Sequence, residues 1–130
     1  MYPKFPVNLS NPVAPGDSLT AEVSTNGSGS FTLTIKDTKQ GWTFTTNQTG
    51  KKDKLGSAEW IAEAPSGSGG VLPLANFGTV NFTLSQANGQ SLGALGATPI
   101  TMVTSGGLNK AVPSTLDSTG QSFSVSWQHS

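Results

Sequence analysis

The stretch GSFTLTIKD, residues 29–37, alternates apolar and polar side chains. Phe31, Leu33 and Ile35 fall on one side of an extended chain, because successive side chains of a β-strand point to opposite faces. Threonines and a lysine fall on the other side. The stretch therefore predicts a half-buried strand, and GWTFTTNQT (41–49) predicts a second one by the same pattern.

Further segments of the chain repeat this two-residue period. They are SLTAEVST (18–25), SAEWIAEA (57–64), residues 78–84 with Val80, Phe82 and Leu84 inward, ATPITMVTS (97–105), and QSFSVSWQ (121–128) with Phe123, Val125 and Trp127 inward. Asp117 to Gly120 predicts a hairpin turn before the last strand, and SGSGG (66–70) predicts a surface loop. No stretch shows a helical period of 3.6 residues. Six or seven short strands predict an all-β fold, an antiparallel β-sandwich of jelly-roll or concanavalin-like type.

Composition limits the class of protein. At 130 residues, the chain predicts one domain over residues 1–130. Seven lysines offset seven acidic residues and there is no arginine, so neither nucleic acid nor a membrane surface is an expected partner. Cysteine is absent, and the single histidine, His129, is the penultimate residue, which excludes thiolate metal sites and disfavours histidine catalysis. The Ser/Thr-rich composition with only 11% charged residues is common in secreted β-proteins, and we expect an extracellular protein without a cofactor.

Two carboxylates share one side of the predicted strand 57–64. Four rises of a strand separate Glu59 from Glu63 by about 13 Å, more than the roughly 5–9.5 Å between a glycosidase pair. Two interpretations stay open. Both residues can be solvated on the outer face of a sheet. Alternatively, because Ile61 lies between them and Pro65 leads into a Gly-rich loop, one of them can meet a ligand and act as a general base.

The remaining candidates have local explanations. Asp17, Asp37 and Asp117 stand in turn contexts, where an aspartate side chain caps the local backbone. The segment KKDK (51–54) predicts a solvated hairpin tip. For Trp42, Trp60 and Trp127 we favour core positions over sugar-stacking platforms.

The run SAEWIAEAPSGSGGVLPLANFGTVNFT (57–83) resembles the glutamic peptidase (eqolisin) family of acid endopeptidases. The similarity lies in an Ala-Glu-aromatic-aliphatic-x-Glu strand, a short loop, the Pro-Leu-Ala-Asn-Phe element 73–77 and a further strand. It extends to PGDSLTAEVS, GWTFTTNQT and the closing GQSFSVSW, and so to nearly the whole chain. The resemblance implies a β-sandwich and a polypeptide substrate.

The resemblance also implies roles for residues. It makes Glu63 the catalytic base that activates a water, with Glu59, Trp60 and Ile61 as supporting residues. A glutamine amide from another strand then stabilises the oxyanion, a task that a neutral donor can perform. The implied site uses neither metal nor cofactor.

This sequence departs from the family pattern in two ways. Family members are longer, and the opening MYPKFP resembles an interior strand of theirs. None of the glutamines stands in the family's glutamine context; they are Gln40, Gln48, Gln86, Gln90, Gln121 and Gln128. We therefore expect a fold incomplete relative to the family, which carries the base without the oxyanion donor and pairs with an N-terminal segment or a second copy. The alternative function is a non-catalytic carbohydrate-binding or structural extracellular module.

Overall fold

The computed structural model describes residues 7–50 and 54–130, which fall into two compact units. We call Met1–Leu55 the N-terminal unit and Gly56–Ser130 the C-terminal unit. The predictions made for MYPKFP and for most of KKDK lie outside the described residues. The prediction of one domain over residues 1–130 stays a prediction.

The N-terminal unit is an antiparallel sheet of three strands in the order β1-β2-β3: β1 (Leu19–Thr25), β2 (Ser30–Asp37) and β3 (Trp42–Thr49). All three strands were predicted, and the structure confirms them. Ile35 lies opposite Ala21 and Phe44, so one face of the sheet is apolar. Thr34 and Thr45 lie opposite each other on the other face, with their hydroxyl oxygens 3.2 Å apart.

The predicted aspartate caps are confirmed. Asp37 has no exposed surface, and its Oδ1 accepts hydrogen bonds from the backbone N–H groups of Lys39 and Gln40, both at 2.9 Å, in the turn between β2 and β3. Asp117 Oδ1 accepts from the backbone of Gln121 at 3.0 Å. A hydrogen bond from the Thr119 hydroxyl holds the pKa of Asp117 below its usual value.

The C-terminal unit has eight strands, most of them very short. They are β4 (Ser66–Gly67), β5 (Gly70–Val71), β6 (Thr79–Phe82), β7 (Gln86–Ala87), β8 (Gln90–Ser91), β9 (Met102–Val103), β10 (Asn109–Pro113) and β11 (Phe123–Trp127). A four-stranded sheet has the order β6-β11-β10-β9, and β4-β5 and β7-β8 are small hairpins. Every pairing is antiparallel, and residues 7–50 and 54–130 contain no helix. The all-β class is confirmed.

One face of the four-stranded sheet carries the core of the C-terminal unit. Val125 on β11 and Ala111 on β10 are buried there against Ala64 and Leu74 from the preceding loops. The predicted inward set of β11 is partly or fully buried, and it consists of Phe123, Val125 and Trp127. The core therefore requires the chain before β4 to lie over this sheet.

Two strand predictions need correction. Val80, Phe82 and Leu84 were expected to point inward, but only Phe82 is half-buried, and Val80 is 36% exposed. Leu84 lies beyond the end of β6, has φ +54° and is 79% exposed. The predicted strand 97–105 is reduced to β9, Met102–Val103. Pro99 has no N–H to donate, and the pairing of β9 with β10 is irregular, so the ladder stays short.

Candidate functional site

The segment 57–64 was predicted as a strand, and this prediction is wrong for the described structure. From Ser57 to Ala64, no backbone group makes a hydrogen bond to another described backbone group. The first such bond of the segment joins the Leu72 N–H to the Pro65 carbonyl at 2.9 Å. A strand exists only where a neighbour completes its ladder, and no described residue does so here.

The segment nevertheless has one side that faces the core and one side that is exposed. Trp60 and Ala62 are half-buried and Ala64 is buried at 6% exposure, whereas Glu59 and Glu63 are exposed. The burial pattern follows from packing, because Ala64 belongs to the core cluster and Ala62 packs against it. The sequence alternation therefore fixes which side chains face the core, even without a strand partner.

The structure places Glu63 on the outer side of this segment. Among the described residues its carboxylate accepts no hydrogen bond and joins no salt bridge. Glu59 is also exposed and accepts a hydrogen bond from the Ser57 hydroxyl at 3.2 Å. Among the described residues, the two carboxylates are thus not brought onto a common partner.

An apolar cavity of about 560 Å³ adjoins the first half of the segment. It lies between residues 58–62, the loop 97–100 and the core face of the sheet, and its larger apolar side chains include Trp60, Ile61, Leu92, Ile100, Met102 and Phe123. Glu59 is the charged residue among the described residues that line it, and Glu63 does not line it. The volume is within the usual range for sites that bind small molecules or side chains. The predicted supporting residues Glu59, Trp60 and Ile61 therefore meet at one cavity.

Two tryptophans donate a hydrogen bond from the indole nitrogen to a backbone carbonyl. Trp42 Nε1 donates to the Pro12 carbonyl at 2.8 Å, and Trp127 Nε1 donates to the Leu74 carbonyl at 3.2 Å. Both rings are half-buried. Such rings act as packing elements, as the sequence interpretation favoured.

In the described part of the chain, no hydrogen bond joins a glutamine side chain to Glu63. Gln40 Nε2 donates to Asp17, and Gln48 Nε2 donates to the Thr46 hydroxyl. Gln86 Nε2 donates to Gln121 Oε1 at 3.0 Å. None of the glutamines lines the cavity.

A metal-binding cluster and a membrane-spanning helix are both absent from residues 7–50 and 54–130. They contain no group of three or more His, Cys, Asp or Glu side chains placed to hold a metal ion. Nor do these residues include a helix long and apolar enough to cross a bilayer.

The fold and the site together define a class. Antiparallel sheets without a helix among the described residues are those of an eqolisin β-sandwich. The model of the Peptidase A4 family matches residues 1–127, so the chain belongs to this family, the glutamic peptidases.

A solved structure has the same fold. The crystal structure of aspergilloglutamic peptidase from Aspergillus niger superimposes with a TM-score of 0.81 at 23% sequence identity. The match covers 98% of this chain and 76% of that chain. A search of curated protein sequences finds no match.

Proposed function

We propose that this chain supplies the catalytic base of an acid-acting glutamic endopeptidase, and that the base is Glu63. Membership of the Peptidase A4 family supports a polypeptide substrate. The observation that carries the assignment is the position of Glu63, an exposed carboxylate without a partner among the described residues, on the outer side of the family's characteristic segment.

The reaction needs one base and one oxyanion donor. Glu63 takes a proton from a water molecule, and the water oxygen attacks the peptide carbonyl carbon. An amide N–H of a glutamine stabilises the negative oxygen of the tetrahedral intermediate. The carbon–nitrogen bond then breaks as the Glu63 carboxyl returns the proton to the leaving amine.

This chain offers the base without a matched amide. Because none of its glutamines hydrogen-bonds to Glu63 or stands in the family's glutamine context, we infer that another polypeptide segment or a second copy provides the donor. Loss of one oxyanion donor typically costs about 10²–10³ in kcat. We therefore propose that the chain alone is a slow peptidase, that it works in an extracellular acid environment, and that Glu59 supports the site without replacing Glu63.

Cleavage of an unfolded substrate at acid pH tests the assignment. A fluorogenic casein, incubated with purified chain at about pH 4, is expected to be cut slowly by the wild type and not above background by Glu63→Gln. Glu59→Gln is the matched control, since it changes the same residue type four positions away on the same side. It is expected to keep activity within about tenfold of the wild type.

Three results would contradict the proposal. Cleavage that survives Glu63→Gln would show that this carboxylate is not the base. If the wild type cleaves the substrate no faster than Glu63→Gln does, the proposed peptidase function is wrong. Binding of glycans that is indifferent to the Glu63 substitution, without cleavage, would favour the carbohydrate-binding alternative.

A further inference from the structure

Strand β3 forms one edge of the three-stranded sheet of the N-terminal unit. The Gly50 N–H donates to the Gly29 carbonyl at 2.8 Å, in register with the pairing of β2 and β3. Because hydrogen-bonding groups alternate in direction along an antiparallel strand, the even-numbered residues of β3 point their N–H and C=O groups towards β2. The odd-numbered residues point theirs away from the sheet, and no described backbone group pairs with them there. We call these four the outward residues of β3: Thr43, Thr45, Asn47 and Thr49.

This edge lacks the features that keep natural sheet edges from pairing with other chains. Such edges are blunted by charged side chains, proline, a bulge or very short length. β3 runs for eight residues, WTFTTNQT, without a charge or a proline, and its register with β2 contains no shift. β3 therefore offers an open hydrogen-bonding ladder to a further strand.

The other sheet edges among the described residues are less suited to pairing. β1 has Glu22 at its centre, and self-pairing with matched faces over all seven residues sets Glu22 opposite Glu22. A shift of the centre to Ala21 or Val23 separates the two glutamates but shortens the overlap to five residues. In the C-terminal unit, no edge strand of the described sheets is longer than the four residues of β6.

A second copy of β3 matches this edge best in one register. In antiparallel pairing, directly opposite residues lie on the same face, so matched faces require the twofold axis to pass through a residue. An axis through Thr46 pairs all the outward residues, with Thr43 opposite Thr49 and Thr45 opposite Asn47 of the second copy. An axis through Thr45 or Asn47 leaves one outward residue opposite a position outside β3. The axis through Thr46 therefore uses the edge completely.

The exposed side chains suit this register. Within the sheet, the Thr45 and Thr34 hydroxyl oxygens are 3.2 Å apart, and Asn47 Oδ1 accepts from the Thr32 hydroxyl at 2.9 Å. Across the axis, threonine again meets threonine and asparagine. The Asn47 amide nitrogen has N–H groups to donate, and no described residue accepts them. Opposite residues of these types form favourable pairs, and no like charges meet.

We propose that two copies of the chain associate through β3, in antiparallel pairing about a twofold axis at Thr46. The three strands of each copy then form one continuous sheet. In a twofold dimer the same patch of both subunits meets, and this is the commonest assembly of identical chains. The association uses neither Glu63 nor the cavity, so it is independent of the proposed peptidase function.

Sedimentation analysis of the whole chain measures the association. Strand pairing alone buries less surface than a standard interface, so we expect a weak dimer and extend the concentration to about 1 mM. The mean mass is expected to rise with concentration from that of one chain towards that of two. A mass of one chain at every concentration would overturn the proposal.

Hydrogen exchange identifies the edge that pairs. We expect the amides of the outward residues of β3 to exchange at least about tenfold more slowly in the dimer than in the diluted chain. The Asn26 N–H donates to the Ser30 carbonyl, so the odd-numbered residues of β1 point outward by the same alternation. Their amides, at Leu19, Ala21 and Val23, should show no such slowing.

Two exchange results would overturn the assignment of the edge. Slowing at β1 in place of β3 would place the contact on the opposite side of the sheet. Protection of the outward residues of β3 that is equal at all concentrations would show that a segment of the same chain covers this edge.

Paired substitutions test the register. Thr45→Lys with Asn47→Lys sets lysine opposite lysine at two places, and we expect the dissociation constant to rise at least about tenfold. Thr45→Lys with Asn47→Glu removes the same side chains but sets lysine opposite glutamate at both places. This variant should associate at least as tightly as the wild type. Equal weakening of both variants would contradict the axis at Thr46.

Glu22→Lys is the matched control for added charge. It changes the net charge by the same two units as the double lysine variant, and Glu22 lies opposite Thr34, which lies opposite Thr45. The lysine therefore stands on the same face of the same sheet, at the other edge. We expect the dissociation constant to stay within about threefold of the wild type. Weakening as large as in the double lysine variant would trace the effect to net charge and contradict pairing through β3.

Discussion

Asp17 and Gln40, 23 residues apart in sequence, are joined by a hydrogen bond of 2.9 Å from the Gln40 amide to the Asp17 carboxylate. The same carboxylate accepts from the Ala14 backbone N–H at 2.7 Å and lies 3.0 Å from the Lys39 ammonium. It therefore ties the chain before β1 to the turn between β2 and β3. The Ala14 hydrogen bond, followed by those from Gln40 and Lys39, lowers the pKa of Asp17 to about 2.

This aspartate is expected to stabilise the N-terminal unit at acid pH. Because the folded pKa of Asp17 lies below the ordinary value of 3.8, its contribution is complete above about pH 4 and is lost as the pH falls through about 2. Asp17→Asn should lower the melting temperature at pH 5, and the difference from the wild type should shrink between pH 4 and pH 2. Circular dichroism melts across this range measure it.

Glu22→Gln is the control for removal of a carboxylate. Glu22 is exposed on β1 and has no hydrogen bond from a described side chain. Its substitution should leave the pH dependence of the melting temperature unchanged. A difference between Asp17→Asn and the wild type that stays constant from pH 5 to pH 2 would show that the charge of Asp17 is not responsible.

The turn between β2 and β3 depends on Asp37. Its Oδ1 accepts two backbone hydrogen bonds, and the side chain is fully buried. Asp37→Ala leaves both donors without that acceptor and should reduce the free energy of unfolding by about 1–3 kcal/mol. Asp37→Asn, which keeps a carbonyl oxygen at this place, should cost less than the alanine. Urea unfolding compares them, and an alanine variant as stable as the wild type would contradict the assigned role.

The sequence predicts strands best where their partners are close along the chain. In β2 and β3 the alternation runs for eight residues each, and a short turn held by Asp37 brings them together. β11 was found in the same way. By contrast β10, with the sequence NKAVP, was not predicted, because its apolar residues Ala111 and Val112 are adjacent and show no alternation. Its pairing with β11 and β9 makes it a strand.

At the candidate site, the sequence predicted which side chains face inward but did not predict the backbone structure or the cavity. Alternation in residues 57–64 correctly indicated that Trp60 faces inward and that Glu59 and Glu63 face outward. The same pattern wrongly indicated a strand, since a ladder depends on a second segment that alternation does not reveal. The cavity could not be foreseen, because its walls come from residues 58–62, the loop 97–100 and the distant strand β11.

Phe82 and Phe123 are expected to be energetically coupled. They are opposite residues of β6 and β11, and their rings stack with centroids 4.8 Å apart and planes 9° apart. Such pairs are worth about 0.5–1.5 kcal/mol beyond the area they bury. A double-mutant cycle of Phe82→Leu and Phe123→Leu, measured by urea unfolding, should give a coupling energy of that size. Losses that add within about 0.3 kcal/mol would show that the stacking contributes nothing specific.

Gly93 and Gly120 pack backbone against backbone, and this contact should not tolerate a side chain. The Gly93 N–H donates to the Gly120 carbonyl at 3.0 Å, and a Cβ at Gly93 would lie 3.1 Å from the Gly120 Cα. The neighbouring atom belongs to a backbone that the hydrogen bond holds in place, so we expect Gly93→Ala to reduce the free energy of unfolding by about 1–3 kcal/mol. In Gly56→Ala the new Cβ meets no atom within 4 Å, so this control should change stability by no more than about 0.5 kcal/mol. Equal losses in the two variants would trace the effect to glycine's backbone freedom and not to the close approach, because only Gly93 has a neighbour in the way.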